Sequence, residues 1–398
     1  MLNPKTKERE LAYVAKIGWV KPIEGADNIE LVGVGGWTCI AKKSEFKEGD
    51  LCVYFEIDSK LPEGKEWSEF LAPKHYKVKT MKLGKFNVVS QGLALPFSSF
   101  GWEQGDYKEG TFLTKQLGVR YAVEEDNKRK ANSNPDAKIN AVLGRHPQFA
   151  KKYGKIVKNN KFLRWFFILI WGKKKDNRSW IPGVPKTDEE RIENRIWTLE
   201  DSSKKWIATE KIDGTSTTFY LKRGGIFHKP EYLVCSRNMV FDTPQKNERN
   251  YYQDSIGNVY LEMSEKYNVR EVLEKLLSQH PSAEWVAIQA ETFGQGVQKR
   301  DYGLKEHQIR AFNLLYSDCG RVGTLEMRNA LEPLGIPVVP IISEGMILPA
   351  SIEELRTFVH SAPSAIDGKI KEGIVFRTLD GIDSFKCVDP EFLLKYHQ

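Results

Sequence analysis

The sequence predicts an α+β protein with an N-terminal β-barrel, a basic helical connector and a C-terminal domain built on antiparallel sheets. Three observations support this fold class. Short apolar segments separated by turn residues fill the N-terminal part, lysines and arginines crowd the middle, and short apolar runs ending in charged residues fill the C-terminal half. A chain of 398 residues is long enough for two or three hydrophobic cores. We expect three parts, at residues 1–118, 119–195 and 196–398.

The N-terminal part contains five candidate strands, each short and apolar. They span residues 13–20, 29–32, 37–41, 51–57 and 91–96. Turn residues separate these segments, and several short strands at such spacing favour a small barrel. The residues by themselves fit an OB fold and an SH3-like barrel nearly equally well, and OB folds commonly bind oligonucleotides.

The connector has an uneven charge distribution. Between Arg145 and Lys186 there are twelve basic residues and one acid, a net charge of +11, whereas the whole chain carries +7. Trp165, Trp171 and Trp180 lie among these residues, a combination that suits phosphate contacts together with base stacking. We interpret the run as a nucleic-acid contact. The alternative is a solvated basic helix around an apolar seam.

One strongly apolar segment, residues 162–171, lies inside this basic run. It is about ten residues long and contains Arg164, whereas a helix that spans a bilayer needs about 20 apolar residues. We predict a packed helix or a plug between domains. Shallow contact with a membrane is the alternative.

Three segments are expected to be helical. Thr187 precedes a cluster of acids and predicts a short helix that reaches Ile192. Apolar residues recur at helical spacing over residues 259–279. Ser351 and Glu354 form a capping box that opens another helix.

The most informative residue is Lys211, which stands in the pattern Lys-x-Asp-Gly with Asp213 and Gly214. A lysine amine can attack the α-phosphate of a nucleotide and hold the nucleotide as a phosphoramidate. It must first lose its proton, against an ordinary pKa of about 10.4. Gly214 leaves room for a close backbone approach, and Asp213 can face a metal or its waters. The pattern alone also fits an exposed strand end that runs into a turn.

Further functional side chains follow in order along the C-terminal half. They stand within or beside short strand candidates at residues 232–235, 286–294, 309–315, 371–377 and 384–386. The side chains are Arg237, Glu291, Phe312, Glu372 and Lys386. Cations, carboxylates and an aromatic ring together suit a triphosphate with its metal and a purine ring.

This succession resembles motifs I, Ia, III, IIIa, IV and V of the covalent nucleotidyltransferase superfamily. Its details are most similar to the ATP-dependent RNA ligases that carry an OB domain ahead of the catalytic domain. The resemblance covers residues 196–396 strongly and the N-terminal part more loosely. It implies an OB fold for the barrel and a nucleotidyltransferase (adenylation) domain after the connector. In that family the motif I lysine takes AMP from ATP and passes it to a 5′-phosphate end, and a 3′-OH then displaces AMP.

The resemblance also implies a role for each residue. Lys211 is the nucleophile, and Glu210 and Gly214 beside it belong to the nucleotide-binding set. Arg237 meets the sugar-phosphate portion of the nucleotide or the 5′-phosphate end. Phe312 stacks on adenine, although a plain core aromatic is the alternative. Lys386 grips the α-phosphate and stabilises the charge of the departing pyrophosphate.

Three carboxylates are implied at the metal site, Asp213, Glu291 and Glu372, and Glu291 is also a candidate ligand of the ribose. The implied cofactors are ATP and Mg²⁺ or Mn²⁺. One departure from the family pattern stands in motif V, where many relatives have Lys-x-Lys and this chain has Ser384 at the first position. The sharing of contacts to the α-phosphate is therefore open.

The implied function is ATP-dependent sealing of RNA ends, with RNA as nicked duplex, free ends or a DNA-containing hybrid. Two alternatives are a GTP-dependent capping-type nucleotidyltransferase and a ligase homologue that only binds nucleic acid. DNA ligases and capping enzymes usually place an OB domain after motif V, whereas twelve residues follow Lys386 here. That layout favours RNA ligation, and the intact lysine, arginine and carboxylates argue against a loss of catalysis.

Composition fits an intracellular protein. The five cysteines are isolated, odd in number and without metal-ligand spacing. The first ten residues are charged rather than apolar, unlike a signal peptide. We expect a reduced monomer in the cytoplasm, with the nucleus as a second location and with no membrane partner.

Overall fold

The computed structural model describes residues 3, 9–86, 88–122, 139–140, 143, 147–171, 180–181, 183–225, 229–241, 243, 255 and 257–396. The strands are β1 (Ala12–Pro22), β2 (Ile29–Val34), β3 (Trp37–Lys42), β4 (Leu51–Phe55), β5 (Ser59–Lys60), β6 (Met81–Leu83), β7 (Val88–Ser90), β8 (Leu93–Pro96), β9 (Arg120–Tyr121), β10 (Trp206–Lys211), β11 (Thr215–Lys222), β12 (Glu231–Ser236), β13 (Val240–Phe241), β14 (Trp285–Phe293), β15 (Gln308–Tyr316), β16 (Gly320–Arg321), β17 (Ile341–Met346), β18 (Gly373–Thr378) and β19 (Ser384–Val388).

Seven described helices accompany these strands. They are α1 (Pro147–Asn159), α2 (Lys161–Trp171), α3 (Val259–Lys266), α4 (Val269–Gln279), α5 (Thr324–Leu331), α6 (Ile352–Ser361) and α7 (Pro390–Tyr396). All pairs between the named strands are antiparallel. The predicted α+β class with antiparallel sheets is therefore confirmed.

The N-terminal strands form a five-stranded sheet in the order β3-β2-β1-β4-β8. The long β1 pairs with β4 through its first half and with β2 through its second half, and a bulge lies between Ile17 and Trp19. A bulge bends a strand and increases its twist, so a single strand can serve both sides of a curled sheet. Two separate apolar clusters, one containing Phe55 and the other Trp37, fill the two faces. All five predicted strands are present.

The connector contributes the helical hairpin α1–α2. Residues 162–171 are helical as predicted, but only one side of α2 packs against α1. Trp180 is part of a core cluster and donates its Nε1 hydrogen to the Val184 carbonyl at 2.6 Å, so it does not serve as a free stacking surface. Lys173, Lys174 and Lys175, the densest part of the basic run, lie outside the described residues. None of the described helices has both the length and the apolar character needed to cross a membrane.

The C-terminal half contains two sheets. One has the order β17-β10-β18-β19 and the other β13-β12-β11-β14-β15-β16. Helices α3, α4 and α5 pack on the larger sheet, and α6 packs on the smaller one. β10 ends at Lys211 in the smaller sheet, and β11 starts at Thr215 in the larger one. The predicted Lys-x-Asp-Gly motif is therefore the crossing between the two sheets.

Two helix predictions need correction. Residues 187–190 are extended, and a short 3-10 turn begins only at Ile192, so the predicted helix from Thr187 is wrong. The predicted helix over residues 259–279 is divided into α3 and α4 by Asn268, whose φ of 46° places it in the left-handed region. The third prediction is confirmed, because the Ser351 hydroxyl caps α6 by accepting from the Glu354 amide at 3.2 Å.

Asn194 joins the barrel to the rest of the chain. Its Oδ1 accepts hydrogen bonds from Tyr13 Oη at 2.9 Å and from Trp37 Nε1 at 2.8 Å. Its Nδ2 donates to Glu56 Oε1 at 2.9 Å. All four side chains are buried. This buried polar network is one of the contacts that join the barrel to the rest of the chain, together with the hydrogen bonds of Arg356 to Gly36 and Gln91.

We expect Asn194→Ala to lower the free energy of unfolding by about 2–4 kcal/mol, because three buried polar groups each lose one hydrogen bond at once. Urea titration of the variant and the parent measures the difference. Asn159→Ala, at the exposed end of α1, is the matched control and should change it by less than about 0.5 kcal/mol. Equal stability of both variants would contradict a role for Asn194 in joining the two parts.

Candidate active site

The site is organised around an ion pair between Lys211 and Glu372. β10 and β18 are antiparallel neighbours, and their register places Lys211 opposite Gly373. Glu372, one residue earlier, therefore comes alongside Lys211, and its Oε2 lies 2.6 Å from the lysine Nζ. Both side chains are partly exposed at the crossing between the sheets. A Cβ at Gly373 would lie 2.3 Å from the Cys387 carbonyl oxygen, so the close approach of β19 requires glycine there.

Glu291 and Asp213 complete the charged cluster. Glu291 is near the end of β14, where it pairs with Ser216 at the start of β11. Burial and the neighbouring carboxylates raise the pKa of Glu291 to about 8 and that of Asp213 to about 7. Burial alone would lower the pKa of Lys211, but Glu372 and Glu291 hold it above its ordinary value. The Lys211 amine is therefore protonated. The carboxylates stabilise its positive charge and at the same time repel one another.

This donor set fits a divalent cation. Carboxylate oxygens suit Mg²⁺ and Mn²⁺, and a cation would relieve the repulsion that raises the pKa of Asp213 and Glu291. The ligand atoms of the three carboxylates do not all lie within 4.8 Å of one another. Among the described residues, the one group of potential metal ligands that meets this distance is His280, Asp318 and Cys319, at the far end of β14 and β15. Mg²⁺ usually keeps several waters and takes one or two carboxylates plus substrate phosphates. Asp213, Glu291 and Glu372 suit that mode of binding.

Two further residues position the motif I loop. The Asp213 amide donates to Tyr302 Oη at 2.8 Å. The Arg300 guanidinium lies 3.7 Å from the centre of the Tyr302 ring and bonds Asp367 at 2.8 Å. Arg300 is almost fully buried. Gly214 is packed as tightly, since a Cβ there would lie 2.4 Å from the Thr292 carbonyl oxygen. The space that glycine leaves is thus used by β14 of the same chain.

For the reaction with ATP that the sequence predicts at Lys211, we expect Tyr302→Phe to lower the turnover number by about tenfold while leaving the KM for ATP nearly unchanged. The reason is that a buried Asp213 amide would lose its acceptor, which costs about 1–3 kcal/mol and loosens the loop that carries the carboxylate. Single-turnover kinetics at several ATP concentrations measures both parameters. Tyr316→Phe, at the opposite end of the larger sheet, is the control. An unchanged turnover number in Tyr302→Phe would remove this positioning role.

A second, cationic half of the site contains Lys386 and Arg237. Both bond one carboxylate, that of Asp188, at 2.7 Å from Lys386 Nζ and 3.3 Å from Arg237 Nη2. Burial would raise the pKa of Asp188, but Lys386 and Arg237 hold it well below its usual range. Burial and the nearby cations lower the pKa of Lys386, against the opposing effect of Asp188. The two cations predicted to meet phosphate are therefore bridged by an anion of the chain itself.

The extended segment around Asp188 explains the departure at Ser384. The Glu190 carbonyl accepts from the Lys386 amide at 2.7 Å, which lays the segment along β19. Glu189 Oε2 accepts from the Ser384 hydroxyl at 2.5 Å, and Glu189 Oε1 accepts from Arg377 at 3.1 Å and from Arg321 at 3.3 Å. Ser384 is thus occupied by a structural network and does not replace a lysine.

Phe312 packs against the residue that follows Lys211. It is half-buried and belongs to a cluster with Ile212, Phe293 and Tyr302. The Phe312 carbonyl accepts from Arg377, which ties this strand to the Glu189 network. Its role in stacking on adenine stays a prediction.

Glu210 was predicted to belong to the nucleotide-binding set, but its side chain points away from the carboxylates around Lys211. Its carboxylate accepts from the Ser364 hydroxyl at 2.5 Å and from the Ala365 amide at 2.8 Å. Successive side chains of a strand alternate in direction, so Glu210 and Lys211 point to opposite faces of β10. The carboxylate holds the loop before β18, and a contact of Glu210 with the nucleotide stays a prediction.

Sequence reasoning missed Asp188, Glu189, Arg300 and Tyr302. The acids of the 187–190 segment had been assigned to a helix start, and no local pattern marks a buried arginine or tyrosine as part of a site. Arg300 pairs with Asp367, which is 67 residues later in the chain. Only the tertiary structure shows this ion pair, because the two loops come together in the fold.

Comparison with known proteins follows the same division of the chain. A family profile described as an OB-fold domain matches residues 11–97, and one described as RNA ligase matches residues 204–397. No curated protein sequence matches.

Three solved structures of an RNA ligase from Naegleria gruberi are among the most similar folds. A point variant with ATP and Mn has a TM-score of 0.72, and the enzyme with PPi has 0.73. Another variant, with AMP and Mn, has 0.72. Each is 25% identical to this chain, and each match covers 98% of this chain and 99% of the other.

Proposed function

Because the chain belongs to the ATP-dependent RNA ligases that carry an OB domain ahead of the catalytic domain, we propose that it seals 3′-OH and 5′-phosphate RNA ends through a lysyl-AMP intermediate on Lys211. The observation that supports this best is that the Lys211 amine interacts both with a set of carboxylates and with a cation. Glu372, Glu291 and Asp213 act on Lys211 electrostatically, and so does Lys386, which shares the Asp188 carboxylate with Arg237. A nucleoside triphosphate with its metal needs both groups of residues, because carboxylates bind the metal and cations bind the phosphates.

In the first step Lys211 Nζ attacks the α-phosphorus of ATP, and the bond to the β-phosphate oxygen breaks with release of pyrophosphate. The amine must be neutral to attack, whereas Glu372 and Glu291 hold its pKa high. A divalent cation bound by the carboxylates, such as the Mn in the Naegleria gruberi complexes, would supply positive charge beside the amine and the phosphate oxygens. With their charge neutralised by the cation, the carboxylates would no longer raise the pKa of Lys211, and the amine would lose its proton to water.

Lys386 and Arg237 serve the phosphates. Lys386 is in the middle of β19, within electrostatic range of Lys211, and its positive charge stabilises negative charge on the α-phosphate as pyrophosphate departs. Arg237 is more exposed and offers a guanidinium fork that suits bidentate phosphate recognition. We assign it to the 5′-phosphate of the RNA.

The remaining steps use the same groups. A 5′-phosphate oxygen of RNA attacks the phosphorus of the lysyl-AMP, and the bond to Lys211 breaks to give an RNA-adenylate. A 3′-OH then attacks the 5′-phosphorus and expels AMP, and its proton is lost. RNA is the proposed partner, as a nicked duplex, as free ends or paired with DNA. A monomeric state also stays a proposal.

The test is incubation with ATP or GTP labelled at the α-phosphate in the presence of Mg²⁺ or Mn²⁺, followed by denaturing gel electrophoresis. We expect labelled protein with ATP and joining of a 3′-OH to a 5′-phosphate RNA end when RNA is added. Labelling by GTP with transfer to a 5′-diphosphate would replace the ligase proposal by a capping activity. Absence of any labelled protein would leave only a nucleic-acid-binding homologue.

We also expect Asp188→Asn to bind pyrophosphate about tenfold more tightly than the parent protein in the absence of metal. The Asp188 carboxylate already pairs with Lys386 and Arg237, the cations that pyrophosphate would bind. It also repels the pyrophosphate oxygens, a Coulomb effect of about 1–4 kcal/mol near a protein surface. Isothermal titration measures the affinity, with Asp106→Asn in the barrel as a charge-matched control. Weaker binding in Asp188→Asn would mean that the carboxylate holds Lys386 and Arg237 in place and does not compete with phosphate.

A further inference from the structure

The α1–α2 hairpin has an apolar side that its own packing does not use. The inner side is a compact cluster in which Phe167 and Ile168 of α2 pack around the buried Val157 of α1, with Phe149 and Ala150 beside it. The outer side presents a different set of residues. This outward face consists of Ile156, Phe162, Trp165, Phe166 and Ile170, all of them exposed, whereas the exposed Tyr153 packs on Phe149 at the edge of the inner cluster.

The outward face is continuous along α2. Phe162 is followed at three, four and eight positions by Trp165, Phe166 and Ile170, so all four lie on one side of the helix. Phe162 is 66% exposed, Trp165 58% and Ile170 51%. Single exposed apolar residues are ordinary, whereas a contiguous group of this kind marks an interaction site.

The two helices that carry this face are cationic. The two helices contain Lys151, Lys152, Lys155, Lys158, Lys161 and Arg164, and their sequences have no acid. Lys152 Nζ lies 5.2 Å from the centre of the Tyr153 ring, and Lys161 directly precedes Phe162. The partner of the face must therefore be apolar inside and negatively charged at its edge.

The chemistry of the face favours lipid over RNA. Base stacking uses separate ring faces, but the Phe162 ring is already stacked with Phe166 at 6.4 Å and lies 5.9 Å from Trp165. Ile156 and Ile170 offer no ring at all. A short helix with an apolar face of Trp and Phe and with lysines beside it is the pattern of helices that lie in a membrane interface.

We propose that the outward face of the α1–α2 hairpin docks the protein on an anionic lipid surface. The helices are 13 and 11 residues long, too short to cross a bilayer, so they lie in its plane. The apolar residues enter the boundary between headgroups and acyl chains, and the lysines meet the anionic headgroups. This docking goes beyond RNA sealing and requires no residue of the active site.

The test is flotation of the full chain with vesicles of phosphatidylcholine alone and with vesicles that also contain phosphatidylglycerol. We expect the protein to float only with the anionic vesicles and to be released by salt. Trp165→Ser combined with Phe166→Ser should weaken binding at least about tenfold. Lys152→Gln, Lys155→Gln and Lys158→Gln together should weaken it and reduce its dependence on salt.

Two control variants make the result specific. Ile347→Ser and Ile382→Ser remove exposed apolar residues elsewhere, 56% and 82% exposed, and should leave flotation unchanged. Unaltered thermal unfolding and unaltered ATP labelling of Lys211 in every hairpin variant show that the fold and the active site are intact.

Three outcomes would overturn the proposal. The first is absence of flotation with anionic vesicles, or flotation that the hairpin variants retain in full. The second is a loss of RNA affinity in the hairpin variants with no vesicle binding by the parent, which makes the face an RNA surface. The third is a parent protein that is dimeric in sedimentation velocity and becomes monomeric with Trp165→Ser and Phe166→Ser, which makes the face a contact between two copies.

Discussion

Lys211→Ala should abolish enzyme–AMP formation and the sealing of 5′-phosphate RNA ends, with a loss of at least about a thousandfold. No other side chain of the motif can form the phosphoramidate. Lys211→Arg should be equally inactive, because a guanidinium stays protonated at any pH at which the protein is folded and offers no free electron pair. Gel detection of protein labelled by α-labelled ATP measures the first step, and RNA joining measures the whole reaction.

Two controls separate the chemistry from the fold. Lys204→Ala removes an exposed lysine just before β10 and should retain labelling. Lys211→Ala should still seal RNA that is supplied already adenylylated, because the steps that need the amine are bypassed. Persistent AMP labelling of Lys211→Ala would move the nucleophile to another residue and would remove the basis of the proposed mechanism.

Glu372→Ala and Glu291→Ala should each lower the rate of lysine adenylylation by about a hundredfold or more. These carboxylates are the candidate holders of the divalent cation, so the concentration of Mg²⁺ or Mn²⁺ needed for half-maximal rate should also rise. Glu372 has a second role, because its Oε2 accepts a hydrogen bond from Lys211 Nζ at 2.6 Å. Rates measured over a range of metal concentrations distinguish weakened metal binding from a misplaced lysine.

Both variants should remain folded. Burial and the neighbouring carboxylates raise the pKa of Glu291 to about 8, so its charge is unfavourable in the folded protein at higher pH. Removing one acid relieves that repulsion. Glu284→Ala, an exposed acid just before β14, is the matched control. Parent-like rates for Glu291→Ala and Glu372→Ala at limiting metal would refute the metal role of both residues.

Local sequence patterns predicted the strands well where the pattern and the environment agree. The apolar run that became β14 is buried on both faces, so its residues are apolar almost throughout. β15 behaves similarly, and its one partly exposed aromatic, Phe312, is the residue predicted to stack on adenine. Short strands such as β5, β6, β7 and β9 were missed. Two or three residues contain too little alternation to mark a strand.

The segment from Thr187 to Glu190 shows how a sound local rule fails. Acids in a first turn stabilise a helix through its dipole by about 0.3–1 kcal/mol. In the folded protein the same acids meet buried cations: Asp188 meets Lys386, and Glu189 meets Arg377. Ion pairs and hydrogen bonds in a partly buried site outweigh the dipole effect. The segment is therefore extended, and its acids belong to the site.

The sequence by itself determined the α+β class, because strand and helix periodicity are local properties. The order of its motifs, through their resemblance to a known family, predicted Lys211 as the nucleophile. The tertiary structure alone decided which groups meet. It placed Glu372 against Lys211 through the register of β10 and β18, and it brought Asp188 between Lys386 and Arg237. The protonation state of Lys211 follows from these contacts, since a pKa depends on burial and on nearby charges, which here come from distant parts of the chain.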